Sequence, residues 1–493
     1  MTLWKRINQK VNPAIYKQKD SHLNKTLTTT DLLALGIGTL ISISIFTLPG
    51  IVAAEHTGPA VVISFIIDAV AAGLVAMNYS EMASAMPFTG AGYSWINVLF
   101  GHFWGWIVGW ALLAEFFISI AFQASGISSN LQGLLDSAGL VIPKRLANPI
   151  GVKGGYVDII SLIVIILVSW LVSRGDTQTS RVENALVVLK VLAVVIFVLV
   201  GMSAVHTANY HPFIPAHQIG TRFGGWQGIY AGTSMLFISY TGFGTVAANA
   251  GEAKNPKKSV PFAITGAIAA AAVMFIAVSL VLVGMFPYKM YANNSEPVGW
   301  ALRHMATNHP ALLFATADFV QGIAVLGMFT ALISFILASS RLLYSFGRDG
   351  MVPSFFGKIN KKRLPNNSLF TVTCGGVLLG ALLSFQTLSQ VISAGTLVAF
   401  MIVSLGIYAL RHREGKDLPK PQFKVPFYPI EPAFAFLVTL IVFLGLSSIA
   451  KIYAICWFIL GMIVYFSYSM KHSKINAAKV TAANTKTIDE SRK

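Results

Sequence analysis

Twelve stretches of about twenty predominantly apolar residues recur along this chain, and a run of that length is what a helix needs to cross the roughly 30 Å hydrocarbon core of a bilayer. They fall at residues 31–54, 59–86, 97–128, 156–173, 184–204, 226–250, 260–286, 312–344, 368–386, 388–410, 430–448 and 451–470. The prediction is an all-α integral membrane protein with 12 transmembrane helices. Unbroken apolar runs such as Asp158 to Val172 rule out a closed barrel, whose strands alternate between lipid and lumen. Composition agrees: 55% of the 493 residues are hydrophobic and 11% are charged, against about 25% charged in average usage. So few charges do not solvate a soluble globule of this size, which sets aside a soluble enzyme, a disordered chain and a nucleic-acid binder.

The net charge of +17 has a location. Arg174 and Arg181 lie between the fourth and fifth segments, and Lys254, Lys257 and Lys258 between the sixth and seventh. Arg348, Lys358, Lys361, Lys362 and Arg363 follow the eighth, and Arg411, Arg413, Lys416, Lys420 and Lys424 the tenth. The opposite loops hold only Lys144, Arg145, Lys153, Arg222, Lys289, Arg303 and Lys451. The positive-inside rule therefore assigns the first set, with both termini, to the cytoplasm of a cell membrane. Residues 1–30 are polar and basic without an apolar signal core, and are expected to remain as a cytoplasmic segment. Residues 473–493 are polar and expected to be a disordered tail. The two cysteines, Cys374 and Cys456, lie in apolar stretches, so they are expected to be buried apolar side chains without a disulfide framework.

The spans are not alike. The first contains Gly36, Gly38, Thr39, Ser42 and Ser44 before Pro49 and Gly50. The sixth contains Gly232, Thr233, Ser234, Ser239, Tyr240, Thr241, Gly242 and Gly244. Interruptions at the head of two successive five-helix halves point to an inverted-repeat transporter with its site between broken helices. The competing reading is that Gly and Ser only permit close helix packing. The repeat reading divides the chain into residues 31–204 (spans 1 to 5), 226–410 (spans 6 to 10) and 430–470 (spans 11 and 12).

Six motifs follow in order: LGIGTLISISIF from Leu35, PFTGAGY from Pro87, GEAKNPKKSVP from Gly251, SRLLYSFGRDG from Ser340, SAGTLVAF from Ser393 and FKVPFYPIEP from Phe423. On these the chain resembles the amino acid-polyamine-organocation (APC) superfamily over residues 27 to 470, in its bacterial branch related to cationic amino acid transporters. It looks most similar to the branched-chain amino acid permeases of lactic acid bacteria. The resemblance implies a LeuT-like 5+5 inverted repeat with broken helices 1 and 6, and proton-coupled import of a neutral aliphatic amino acid.

A zwitterion carries a carboxylate and an ammonium into a low-dielectric region, and each needs a partner there. Freed amides of a broken helix suit the carboxylate, and freed carbonyls the ammonium. In the resembled family the carboxylate turn is Gly-Ser/Thr-Gly, and here Ser42, Ile43 and Ser44 occupy it, without either glycine. Ile43 is β-branched and removes backbone freedom, while the Ser42 and Ser44 hydroxyls can bond backbone groups of an interrupted helix. By analogy the ammonium meets carbonyls among Leu40, Ile41, Phe237, Ile238 and Thr241. Ile43, Ile118, Phe122, Phe237 and Tyr240 are expected to face the substrate side chain.

Lys190 lies six residues past Asn184, about 9 Å inside the boundary of the fifth span. It either snorkels to the interface or, as in proton-coupled members of the resembled family, takes the place of a bound cation and exchanges the coupling proton. In that role its charge is expected to hold helices 1, 5 and 8 together. Glu115 is expected either in the pocket or in a structural hydrogen bond, Asp68 as a partner or proton relay between helices, and Asp318 as a solvated vestibule residue. Gly244 stands where some relatives carry an aspartate. Trp104, Trp106 and Trp110 are expected to be packing or interfacial anchors.

No HExxH, P-loop, GxSxG or Cys/His cluster occurs in the sequence, so neither an enzyme nor a metal or cofactor site is expected. The partners expected are a small-molecule amino acid, a proton and the lipid bilayer, with no nucleic acid. Three readings remain at this point: the importer of neutral aliphatic amino acids, a cationic amino acid transporter or exchanger using Glu115 or Asp68, and a channel or nutrient sensor.

Overall fold

A computed structural model describes residues 9–20, 25–88, 90–152, 154–174, 180–306, 312–360 and 364–473. Lys153, Lys361, Lys362 and Arg363, the first eight residues and the tail from residue 474 lie outside the described residues, as does the side chain of Arg181. Among the described residues seven stretches are long and apolar enough to cross a membrane. They are Thr29–Ala85, His102–Asp136, Asn184–Met202, Pro256–Met285, Thr316–Asp349, Phe385–Arg413 and Ser448–His472, and Ile159–Arg174 and Ile430–Gly445 are shorter apolar helices. The protein is an all-α, multi-pass membrane protein.

The first stretch, 57 residues, would be about 85 Å long as one helix, far more than a bilayer. Two interruptions divide it into α1 (Thr29–Leu40), α2 (Ile43–Val52) and α3 (Val61–Ala85). Between α2 and α3 a π turn over Ala53–Thr57 meets a 3-10 turn over Gly58–Ala60, where Gly58 takes φ +61° ahead of Pro59. The chain reverses there, because Gly232 faces Val52, Thr57 and Ser64 together.

The third predicted segment is redrawn. Gly101 at φ +106° separates a short helix α4 (Ala91–Leu99) from α5 (His102–Ser137), so the long helix starts five residues later and ends nine residues later than 97–128. There follow α6 (Ile159–Arg174), α7 (Ser180–Met202), α8 (Gly225–Leu236), α9 (Gly244–Ala248) and α10 (Pro256–Met285). Beyond these come α11 (Pro297–Ala306), α12 (Leu312–Asp349), α13 (Asn366–Leu382), α14 (Phe385–Arg413), α15 (Ile430–Gly445) and α16 (Ser448–Val464). The ninth predicted segment ends early, at Leu382, because Ser384 caps α14 by accepting from the Thr387 amide at 3.3 Å.

Both described ends of the chain meet at His102: its amide donates to the Gln9 carbonyl at 3.1 Å and its Nε2 lies 2.7 Å from the Ser473 hydroxyl. Two of the three tryptophans anchor α5 to α16. Trp106 donates to the Gly461 carbonyl at 2.9 Å, and Trp110 stacks on Trp457 with centroids 4.8 Å apart. Trp104 is exposed. Cys374 and Cys456 are also exposed, on helix flanks, which corrects the expectation of burial. An apolar side chain on the outside of a membrane bundle is solvated by hydrocarbon and needs no interior position.

Candidate substrate site at the break in the first helix

The site starts where α1 stops. A capping box at Thr28 and Asp31 begins this helix, and Asn184 of α7 donates to Asp31 at 2.8 Å. At its other end Ile41 (φ −82°, ψ 80°) and Ser42 (φ −123°, ψ −144°) leave helical geometry. The Ser42 amide turns back to the Leu40 carbonyl at 3.0 Å, and the Ser44 hydroxyl reaches the same carbonyl at 3.4 Å. The amides of Ile43, Ser44 and Ile45 open α2, so by helix geometry they have no acceptor within it and carry the positive end of its dipole. Leu40 to Ser44 are all buried.

Ile43 is accommodated by a glycine on α5. A Cβ built at Gly126 would fall 1.1 Å from the Ile43 Cδ1, so the isoleucine side chain fills the notch that this glycine leaves. One turn earlier on the same helix, Gln123 donates from Nε2 to the Ser42 hydroxyl oxygen at 3.1 Å. It is 2% exposed, and its Oε1 has no hydrogen-bond partner. Both residues meet the break only through long-range packing, which leaves no signal in their own segment of sequence.

Facing the break, α8 passes into a 3-10 helix over Phe237–Phe243 before α9 resumes. The expectation of an opened helix 6 is therefore modified: these residues are overwound, not unravelled, with carbonyls directed by i to i+3 bonding. Gly242 permits the close approach to α1, since its Cβ would lie 3.0 Å from the Thr39 carbonyl carbon, and the Thr39 hydroxyl lies 3.1 Å from the Gly242 carbonyl. The Thr241 hydroxyl donates to the Ile238 carbonyl at 3.0 Å, and Phe237 meets Phe400 edge to face.

Lys190 is 1% exposed, and its Nζ donates to the Gly38 carbonyl at 2.8 Å. Its methylenes cover Gly327 of α12, where a Cβ would come within 2.5 Å of Lys190 Cε. The side chain thus lies between the first, fifth and eighth predicted spans and does not snorkel.

Other predicted residues have contacts of their own. The Tyr240 hydroxyl donates to the Phe65 carbonyl at 3.2 Å and its ring packs on Phe65 and Phe275, so it faces α3 and α10. Asp68 of α3 neighbours Tyr240, fully buried and with both carboxyl oxygens unpartnered. Glu115 is buried beside Thr396 and Tyr79. It sits eight residues, about 12 Å, along α5 from Gln123. Phe122 stacks on Phe385 at 4.5 Å, and Asp318 is half-buried with an unpartnered Oδ1. Among the described residues no group of three His, Cys, Asp or Glu could hold a metal ion.

Residues 27–473 match the family model described as amino acid permease. The chain is 52% identical over 466 residues to the branched-chain amino acid permease BcaP of Lactococcus lactis subsp. cremoris (strain MG1363), covering 94% of this chain and 99% of that protein. It is 33% identical over 464 residues to the methylthioribose transporter of Bacillus subtilis (strain 168), covering 93% and 96%. Against the vacuolar cationic amino acid transporter 4 of Arabidopsis thaliana it is 32% identical over 414 residues, 80% of this chain and 65% of that protein. A broken, amide-presenting helix in an all-α membrane bundle and a family match over nearly the whole chain lead to one assignment: this protein belongs to the amino acid permease family.

Proposed function

We propose that this permease is a secondary active importer of branched-chain and other neutral aliphatic amino acids, driven by a proton. It would work in the plasma membrane as a LeuT-like 5+5 inverted repeat of twelve spans with both termini cytoplasmic. The observation that carries this reading is the break at Ile41–Ser42, lying against the 3-10 segment of the sixth span, with Lys190 on the Gly38 carbonyl one turn below. The substrate carboxylate takes the amides of Ile43 to Ile45, and the ammonium takes carbonyls of Leu40, Ile41, Phe237, Ile238 or Thr241. Ile43, Ile118 and Phe237 supply apolar walls for the side chain. The likeness to a permease named for branched-chain amino acids supports an aliphatic substrate.

Coupling is assigned to Lys190. Protonated, its ammonium holds the last turn of α1 through a charge-assisted bond. On losing the proton it keeps only a neutral contact, and α1 is freer to move against α7 and α12. Alternate binding of a proton and release of α1 link the pH gradient to opening of the site.

Purified protein in liposomes with an imposed inward proton gradient should accumulate labelled leucine, and excess isoleucine, valine or methionine should compete. Pocket discrimination of one methylene is worth about 1–3 kcal/mol, so several aliphatic substrates are expected. Lys190→Met should abolish gradient-driven accumulation while leaving leucine exchange measurable. Full accumulation by that variant would remove Lys190 from the coupling step. A second reading, transport of a cationic amino acid, rests on the buried Glu115 carboxyl, which has no basic residue paired with it among the described residues. Strong inhibition by arginine with none by isoleucine would establish it in place of the first.

A further inference from the structure

We propose that Gln123 is a substrate-binding residue that selects for the α-ammonium group. The inference rests on the assignment of the Ile41–Ser42 break as the amino acid site. Gln123 reaches that break from α5, its Nε2 donating to the Ser42 hydroxyl oxygen at 3.1 Å. With its oxygen accepting this bond, Ser42 has its own hydrogen available beside the amides of Ile43 to Ile45, where the carboxylate sits. The other end of the amide is a buried acceptor, Oε1, without a partner. An unsatisfied acceptor on a residue only 2% exposed is costly, and water or protein usually supplies the missing donor.

On an α-amino acid the donor next to the carboxylate is the ammonium, one carbon away. A single primary amide would therefore span both charged groups of the zwitterion, orienting Ser42 toward the carboxylate and accepting from the ammonium itself. This places one reader of the zwitterion on α5, outside the two interrupted helices. The chemistry needs no glycine at positions 42 and 44, since the side-chain amide contributes polar contact that backbone freedom does not.

The test compares leucine with its 2-hydroxy analogue, 2-hydroxy-4-methylpentanoate, which keeps the carboxylate and side chain and lacks the ammonium. Both are titrated against purified full-length protein, with thermal stabilisation in detergent as one readout and inhibition of leucine uptake in liposomes as the other. Wild type should favour leucine strongly. Gln123→Leu should weaken leucine binding about tenfold to hundredfold, the range for a lost bond to a charged group, and change binding of the hydroxy analogue by much less. Gln123→Glu, which keeps an acceptor toward the ammonium, should retain the preference for leucine. Equal weakening of both ligands in Gln123→Leu, or an unchanged preference in it, would overturn the proposal. So would loss of the preference in Gln123→Glu with hydroxy-analogue binding retained, a readout that stands if the leucine variant does not fold. Failure of wild type to bind any aliphatic amino acid would instead overturn the functional reading itself.

Discussion

Ile43 sits in the middle of a turn that in the resembled family is glycine on both sides, and it fits because Gly126 on α5 is vacant where the isoleucine methyl needs room. The compensation is steric and local. Gly126→Ala should overpack the break, at a cost of about 1–3 kcal/mol, and lower both leucine affinity and thermal stability. Ile43→Ala in the same chain should recover most of that loss, which a double-mutant cycle on binding and melting temperature would measure. Additive losses would show that Gly126 and Ile43 act independently. The sequence made Ser42, Ser44 and Lys190 legible, since an interrupted apolar run and a lone intramembrane lysine are features of one segment. Gly126 and Gln123 were not legible, because Gln123 is 81 residues from Ser42 and only packing of α5 across α1 and α2 brings the pair together. The environment of Tyr240 is not legible for a related reason: overwinding to a 3-10 helix rotates the residues after Phe237 away from their α-helical faces, and Tyr240 turns to Phe65 and Phe275.

At the scale of elements, the helix α11 had no counterpart among the apolar segments, since its hydrophobic face is only ten residues long. It acts as a bracket. Pro297 packs where Gly50 of α2 lacks a side chain, and Glu296 pairs with Arg303 while its other oxygen accepts from Gln321 of α12. Gln321 also donates to the Asn130 carbonyl on α5 at 3.0 Å, and the Glu296 carboxylate lies over Gly133 of that helix. One carboxylate therefore ties a connecting loop to α5 and α12, and its neighbour Pro297 touches α2, the second half of the broken helix. Arg303→Ala leaves the half-buried Glu296 without its cation and should lower stability by about 1–3 kcal/mol. Glu296→Gln combined with Arg303→Gln should cost less than Arg303→Ala alone, because no charge is left unpaired. Melting temperatures of the two variants in detergent would check the order, and the reverse order would show that the pair contributes through packing alone.

For the whole molecule, the contact of Gln9 and Ser473 with the same histidine brings both described ends together, which fits an even number of crossings. Seven long apolar stretches alone would be odd, but Thr29–Ala85 reverses at Gly58 and counts twice. Ile159–Arg174, the interrupted Gly225–Ala248, Asn366–Leu382 and Ile430–Gly445 add four more. This arithmetic supports the proposed twelve spans, and the Lys/Arg asymmetry supports cytoplasmic termini. Two exposed positions on opposite faces test both together: Ile219, 96% exposed between α7 and α8, and Lys416, exposed between α14 and α15. The background should carry Cys374→Ala and Cys456→Ala, since both native cysteines are exposed on the outside of the bundle. In intact cells an impermeant thiol reagent should label Ile219→Cys and spare Lys416→Cys, and permeabilisation should make the second react. Labelling of both positions in intact cells would sink the even-span arrangement, because two loops separated by five crossings would then share a side; labelling of Lys416→Cys alone would keep twelve spans and invert the orientation.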